Sequence, residues 1–263
     1  PLCLPPPPPV FYPPLCTVSA PVITARLNEF AESSCLVQPL RPDGLCVDGG
    51  AVIVAYSVQA GAVAGARVVA FEPSPFTFQY LDRNLRLNSL TDRASARRKA
   101  LGRQAGSLRF TDGLGTENAV AASGQTEKTV EVPVARLDDE LAGEHPFLMK
   151  MDVEGFETEA CAGAERLLAD PALQAFIVAR HDSGRRYGFD EEALHQRIRS
   201  LGFSPFEYFP LTRELQPLPA VAGHLIFVPV HAARHRRFRH SHPYELHRVT
   251  SPSAHVCHKR TAP

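Results

Sequence analysis

An α/β chain with a doubly wound sheet is what this sequence predicts, and two observations carry the prediction. From Leu45 onward, short apolar runs alternate with segments of helical spacing, the pattern of parallel βαβ units with helices on both faces of a Rossmann-like sheet. Three of those runs stop abruptly in acids or glycine, at Asp48-Gly49-Gly50, at Glu72-Pro73 and at Asp152-Val153-Glu154-Gly155. Ligands of open α/β sheets bind just past the carboxyl ends of the strands, so these endings predict a crevice lined with carboxylates.

The elements follow in order. Leu45-Cys46-Val47 is a short strand, and the almost wholly apolar stretch 51–64 is a buried helix. Arg67-Val68-Val69-Ala70-Phe71 is the second strand. Segment 76–90 has helical spacing, with Phe76, Tyr80, Leu81, Leu85 and Leu87 on or near one face, and 94–100 contains a third strand. The stretch 108–133 is rich in Gly, Thr and Ser, and its alternating pieces at 107–110 and 129–134 read as a β-hairpin insert that covers the sheet edge. A strand at 147–153 is apolar throughout except Lys150 until it ends in Asp152, as a strand buried on both faces should be. There follow a helix at 157–168, a strand at 175–179, a helix at 190–201 closed by Gly202, and a last apolar strand at 225–228.

Composition bounds the class. The 263 residues suffice for one sizeable α/β domain with extensions, and the expected division is a leader at 1–25, a domain at 26–230 and a tail at 231–263. The leader holds the proline run 5–9 and further prolines at 13, 14 and 21; lacking backbone donors, it cannot join a core sheet and reads as disordered or loosely packed. Formal net charge is zero, yet the tail carries six Arg and one Lys against the single acid Glu245, so the body is mildly acidic. The tail also has seven of the eleven histidines, with His231 and His235 able to share a helix face, but no acid or cysteine completes a metal site there. Without interleaved aromatics it is read as a solvated extension, not as a specific nucleic-acid binder. Six cysteines without a CxxC pair argue against zinc modules and disulfide frameworks, which predicts a reducing, cytoplasmic setting. The apolar run at 51–66 falls short of the ~20 residues a membrane span needs.

The chemistry begins at the strand ends. Asp48-Gly49-Gly50 stands where a doubly wound fold brings backbone amides against a cofactor, and Glu72, at the end of the next strand, can accept hydrogen bonds from both hydroxyls of a ribose. The pyrophosphate fingerprint GxGxxG is absent, since Gly49, Ala51 and Val54 occupy its three positions. An adenosine ligand without phosphates, S-adenosylmethionine, therefore fits better than a nicotinamide dinucleotide. Helix capping is the plain structural use of Asp152 or Glu154.

The order Val69-Ala70-Phe71-Glu72-Pro73-Ser74-Pro75, Asn84 to Asn88, Ala100-Leu101-Gly102, Leu137-Asp138, Lys150-Met151-Asp152-Val153-Glu154-Gly155-Phe156-Glu157 and Gly163-Ala164 resembles the FkbM-type methyltransferases from about Leu45 to Val228. The resemblance implies a class I methyltransferase fold, S-adenosylmethionine as donor, and a hydroxyl of a sugar, polyketide or related small molecule as acceptor. It places Asp48 and Gly50 in the first cofactor motif, makes Glu72 the ribose-binding acid, sets Ala100 and Leu101 near the adenine, and turns Asp152 and Glu154 toward the active crevice. The chain departs from the family in that first motif, where Val52 replaces an asparagine and Val54 a glycine.

Methyl transfer from a sulfonium is an in-line displacement, so alignment of the reacting atoms matters most and can supply roughly 7–11 kcal/mol. An ordinary hydroxyl also needs a base. Asp152 is the first candidate, and His181, beside Asp182 after the 175–179 strand, the second. Two other classes compete: a non-catalytic binding module that has kept the fold but lost the cofactor loop, and a nicotinamide-dependent oxidoreductase, which the glycine pattern disfavours.

Overall fold

A computed structural model describes residues 8–11, 35, 38–52, 55–122, 127–179, 183–209, 212, 214–218 and 225–230. The basic tail, most of the leader, Val54 and His181 lie outside the described residues.

Among the described residues the principal sheet has eight strands. Its centre is β1 (Leu45–Gly49), flanked in parallel by β2 (Arg67–Phe71) and by a strand at Leu148–Met151. Between β1 and β2, helix α1 (Ala55–Val58) runs into a π-helical turn at Gln59–Val63, so the continuous helix expected over 51–64 is shorter. Helix α2 (Pro75–Leu87) starts with Pro at its first position and Ser74 as N-cap, whose hydroxyl accepts from Thr77 N. It buries Leu81 and Leu85, while Phe76 and Leu87, expected near the same face, are exposed. Strand β3 (Ala94–Arg97) closes that edge in parallel with β2.

The insert forms its own three-stranded sheet, with β6 (Thr129–Ala135) between β4 (Ala100–Leu101) and β5 (Gly106–Thr111). The expected hairpin is the antiparallel β5–β6 pair, whose register matches Phe110 with Val130. After a helical turn, α3 (Leu137–Glu140), comes β7 (Leu148–Met151). The helix expected at 157–168 is two pieces, α4 (Glu157–Ala162) and α5 (Glu165–Leu168). Gly163 stands between the pieces, where a Cβ would come 2.1 Å from the Gly102 carbonyl oxygen, so only glycine fits against the insert there. Asp138 caps the second piece from a distance, accepting from Arg166 N and Leu167 N at 3.0 and 3.1 Å.

Beyond β8 (Ala175–Val178) and α5, helix α6 (Glu191–Ser200) is capped by Asp190, with Gly202 at φ 92° closing its end. The remaining strands correct the wholly parallel reading. β9 (Phe203–Phe209) and β10 (Glu214–Pro217) were not anticipated, and β11 (Leu225–Pro229) inserts antiparallel between β8 and β9, giving the order β10-β9-β11-β8-β7-β1-β2-β3. Pro205 masks β9 in the sequence, although Phe206 and Tyr208 are buried and Glu207 between them is exposed.

Both faces of the sheet are covered. One core joins Cys46, Ala70, Leu148 and Ile177 to Tyr56, Leu81 and Leu85; the other joins Val47, Phe71, Met149 and Phe176 to Leu167 and Ile198. No helix among the described residues is long and apolar enough to cross a membrane. Residues 9–11 of the proline-rich leader lie against α2: Asn84 accepts from Phe11 N and donates to Phe11 O, and Asn88 donates to Pro9 O. Prolines leave carbonyl acceptors without donors of their own, and the two amides supply what such a segment lacks.

Candidate functional site

The carboxyl ends of β1, β2 and β7 open on a cavity roofed by the insert. Its lining includes Gly50, Val52, Glu72, Ala100, Leu101, Phe110, Asn118, Asp152, Glu154 and Phe156. Six of the eight residues expected at a site thus line one space. Asp48 does not: it is 1% exposed, accepts from Ser57 Oγ at 2.6 Å, and sits 3.6 Å from Lys150 Nζ. His181 lies outside the described residues.

The β1 exit is shaped by Gly50. At φ 74° its backbone passes so near β7 that a Cβ would stand 1.7 Å from the Asp152 carbonyl oxygen. Gly50 N and Ala51 N both donate to Phe71 O at 3.0 Å, which ties this turn to the end of β2. Val52 follows at φ 47°, a conformation that crowds a β-branched side chain.

Glu72, 4% exposed, is held on three sides. Its Oε1 accepts from Ser74 N and Thr77 Oγ1, at 2.9 and 2.6 Å, and its Oε2 accepts from Val52 N at 2.9 Å. Burial pushes its carboxyl up to about 7, against the lowering effects of these hydrogen bonds and of Lys150. Each carboxylate oxygen has two acceptor positions, so Oε2 keeps one for a ligand hydroxyl. With Ala100 and Leu101 along the neighbouring wall, the residues present fit a ribose and an apolar ring.

The β7 exit carries the other acids. Asp152, half-buried, lies 3.4 Å from Lys150 Nζ through Oδ2. Glu154 is at φ 54° and Gly155 at φ 94°, where a Cβ would meet the Ser183 carbonyl at 2.6–2.7 Å. This double turn is clamped by Glu157, whose Oε1 accepts from Val153 N and Gly155 N at 2.9 and 3.2 Å. Burial lifts the Glu157 carboxyl to about 7 in spite of those bonds. The capping use of an acid in this motif therefore falls to Glu157, and Asp152 and Glu154 are left facing the cavity.

At the crevice mouth, Phe156, Tyr187 and Phe189 form a half-buried aromatic cluster with centroids 5.4–5.8 Å apart. Tyr187 Oη donates to Val120 O at 2.7 Å, linking the 183–187 turn to the insert; burial pushes that phenol up to about 12, so it remains a donor. The sequence reading missed this cluster because Phe156 and the Tyr187–Phe189 pair lie on separate segments. Among the described residues no group of three His, Cys, Asp or Glu could hold a metal ion.

The family profile described as methyltransferase FkbM domain matches residues 48–205. No curated protein sequence gives a significant match. Among solved structures, similar chains include a SAM-dependent O-methyltransferase from Thermotoga maritima, 12% identical over 79% of this chain and 68% of that one, with a TM-score of 0.41. TYW2 of Pyrococcus horikoshii in complex with MeSAdo is 19% identical over 75% of this chain and 59% of that one, with a TM-score of 0.38. Another Pyrococcus horikoshii protein is 17% identical over 74% and 60%, also with a TM-score of 0.38. This chain spans about three fifths of the length of both Pyrococcus proteins.

Proposed function

Since the chain belongs to the methyltransferase FkbM domain family, we propose that it is an S-adenosylmethionine-dependent methyltransferase whose acceptor is a hydroxyl of a sugar, polyketide or related small molecule. The observation that carries this reading is one cavity with Glu72 at one strand end and Asp152 and Glu154 at another. When bound, the cofactor supplies an electrophilic methyl group on a sulfonium.

The protein's own contribution is placement. Glu72 Oε2 and the apolar wall of Ala100 and Leu101 hold the nucleoside half. Phe110 and Val120 of the insert supply an apolar roof over the cavity. Asp152, its Oδ2 3.4 Å from Lys150 Nζ, takes the acceptor's proton as general base. Glu154 provides a second carboxylate at the same edge, where it can orient the hydroxyl. Calorimetric titration with S-adenosylmethionine tests the reading: micromolar binding is expected, and no heat at millimolar cofactor overturns it.

A second reading, a methyltransferase-fold binding module without turnover, is favoured by the Val52 contact. The amide of this strained residue already occupies an acceptor position of Glu72. Under that reading, restoring Asn at 52 and Gly at 54 creates cofactor binding that the natural chain lacks; unchanged binding counts against it.

A further inference from the structure

Lys150 is a charged side chain inside the protein with only 3% of its surface exposed. Its position follows from register. Lys150 pairs with Asp48 across β7 and β1 and with Ile177 across β7 and β8, so it faces the core that contains Tyr56. From there the ammonium donates to Gly50 O at 3.2 Å, stands 3.6 Å from Asp48 Oδ1 and 3.4 Å from Asp152 Oδ2, and lies 4.9 Å from the centre of the Tyr56 ring. Burial pushes the Cys46 thiol and the Glu72 carboxyl up, and the field of Lys150 opposes that push on both.

An ammonium is removed from water at a cost of several kcal/mol, which attraction offsets only when partners surround it. Here the partners come from three places that must be held together for the cavity to exist: the β1 strand end, the glycine turn after it, and the β7 strand end. Asp48 and Gly50 lie on one of these exits and Asp152 on the other. Asp48 lines no part of the cavity, so its carboxylate acts on the site through Lys150 and not by touching a ligand.

We propose that Lys150 is a positioning residue: its ammonium ties the Asp48-Gly49-Gly50 turn to Asp152 and fixes the direction in which Asp152 faces the crevice. The assignment rests on the methyltransferase reading for the purpose of that alignment, while the tie itself is a property of the folded chain. A purely space-filling lysine stem would be replaceable by methionine at the same cost at every pH. A counter-ion would not: Glu72, which burial already pushes up to about 7, becomes charged between pH 5.5 and pH 8, and removing Lys150 takes away the cation that offsets that charge beside Asp48 and Asp152. Cys46 and Tyr56 also face Lys150; burial pushes the Cys46 thiol up, so it adds no charge between pH 5.5 and pH 8.

Denaturant unfolding of the full chain and of Lys150→Met at pH 5.5 and pH 8, with calorimetric titration of S-adenosylmethionine on both, tests the proposal. Lys150→Met should lose clearly more stability at pH 8 than at pH 5.5, and adding Asp48→Asn should recover part of the loss at pH 8. Where the wild type binds the cofactor, the single variant should bind it about tenfold more weakly or worse. An equal loss at both pH values, or a loss at pH 8 that Asp48→Asn does not relieve, overturns the tie. If Lys150→Met does not fold at pH 8, the double variant decides: folding at pH 8 supports the tie and failure overturns it. A wild type that binds no cofactor overturns the methyltransferase reading alone, since the pH-dependent unfolding still judges Lys150.

Discussion

The exits of β1 and β7 are neighbours in the sheet and solve one problem in two ways. Each strand must turn at once, and each exit holds a glycine and a non-glycine residue at positive φ: Gly50 and Val52 after β1, Glu154 and Gly155 after β7. Such a conformation costs on the order of 1–3 kcal/mol at a side-chain-bearing residue and persists only where the surroundings enforce it. After β7 the enforcing group is Glu157, which binds the turn's amides and lies outside the cavity lining. After β1 it is Glu72, the residue that also faces the cavity. The β7 turn is thus supported by an acid outside the cavity, whereas the β1 turn draws on the acid proposed to hold the cofactor.

The largest effect should come from the contact both exits share. Gly50→Ala must push β1 and β7 apart, because the added Cβ would overlap the Asp152 carbonyl oxygen and the Asp152 N to Gly49 O bond would open. A loss of about 4 kcal/mol or more is expected, the range reserved for steric conflict at special backbone positions. Denaturant unfolding measures it, and a loss below about 1 kcal/mol would show the two exits to be independent.

Glu157→Gln sharpens the claim that this acid serves only as a clamp. One oxygen accepts both amide bonds, so glutamine retains the acceptor while the buried charge is removed. With a folded value near 7 against 4.5 in the unfolded chain, the carboxyl stabilises the fold fully below about pH 4.5 and loses that advantage as pH rises toward 7. The variant should therefore be more stable than wild type by about 2–3 kcal/mol at pH 8 and equal to it near pH 4. A pH-independent difference in unfolding free energy would show that the amide bonds, not the charge, differ between the two.

Much of this was legible in the sequence because buried strands and glycine turns leave local marks. The apolar runs at β1, β2, β7 and β8 gave their own positions, and the acids at their ends marked the crevice. The antiparallel edge was harder, since β9 contains Pro205 and β10 is mostly exposed, which blunts the alternation that identifies strands. The roles within the 150–157 motif were not separable by spacing. Whether Glu154 or Glu157 clamps the turn depends on which carboxylate bends back onto Val153 and Gly155. The sequence showed Lys150 only as the break in an apolar run; its place became legible through its register opposite Asp48. Likewise the Leu137-Asp138 pair, part of the motif order, is accounted for by capping of α5 across the fold.

The smallest effect bears most directly on the comparison. Val52 and Glu154 sit at φ 47° and 54°, so replacing either by asparagine, which tolerates this region, relieves similar strain. Each of Val52→Asn and Glu154→Asn should stabilise the fold by about 1 kcal/mol. Their functional outcomes should diverge. At position 52 the backbone amide that meets Glu72 is retained, so cofactor affinity holds or improves. At position 154 a carboxylate is taken from the cavity edge, so methyl transfer from labelled S-adenosylmethionine to a metabolite extract should fall at least about tenfold, the lower range for loss of a positioned polar group in catalysis. Strain that is stored for function is recognised by that opposition, greater stability with less activity. If both variants gain stability and neither loses transfer, the left-handed turn at Glu154 is a consequence of chain geometry like that at Val52, and the contrast between the two exits reduces to their clamps.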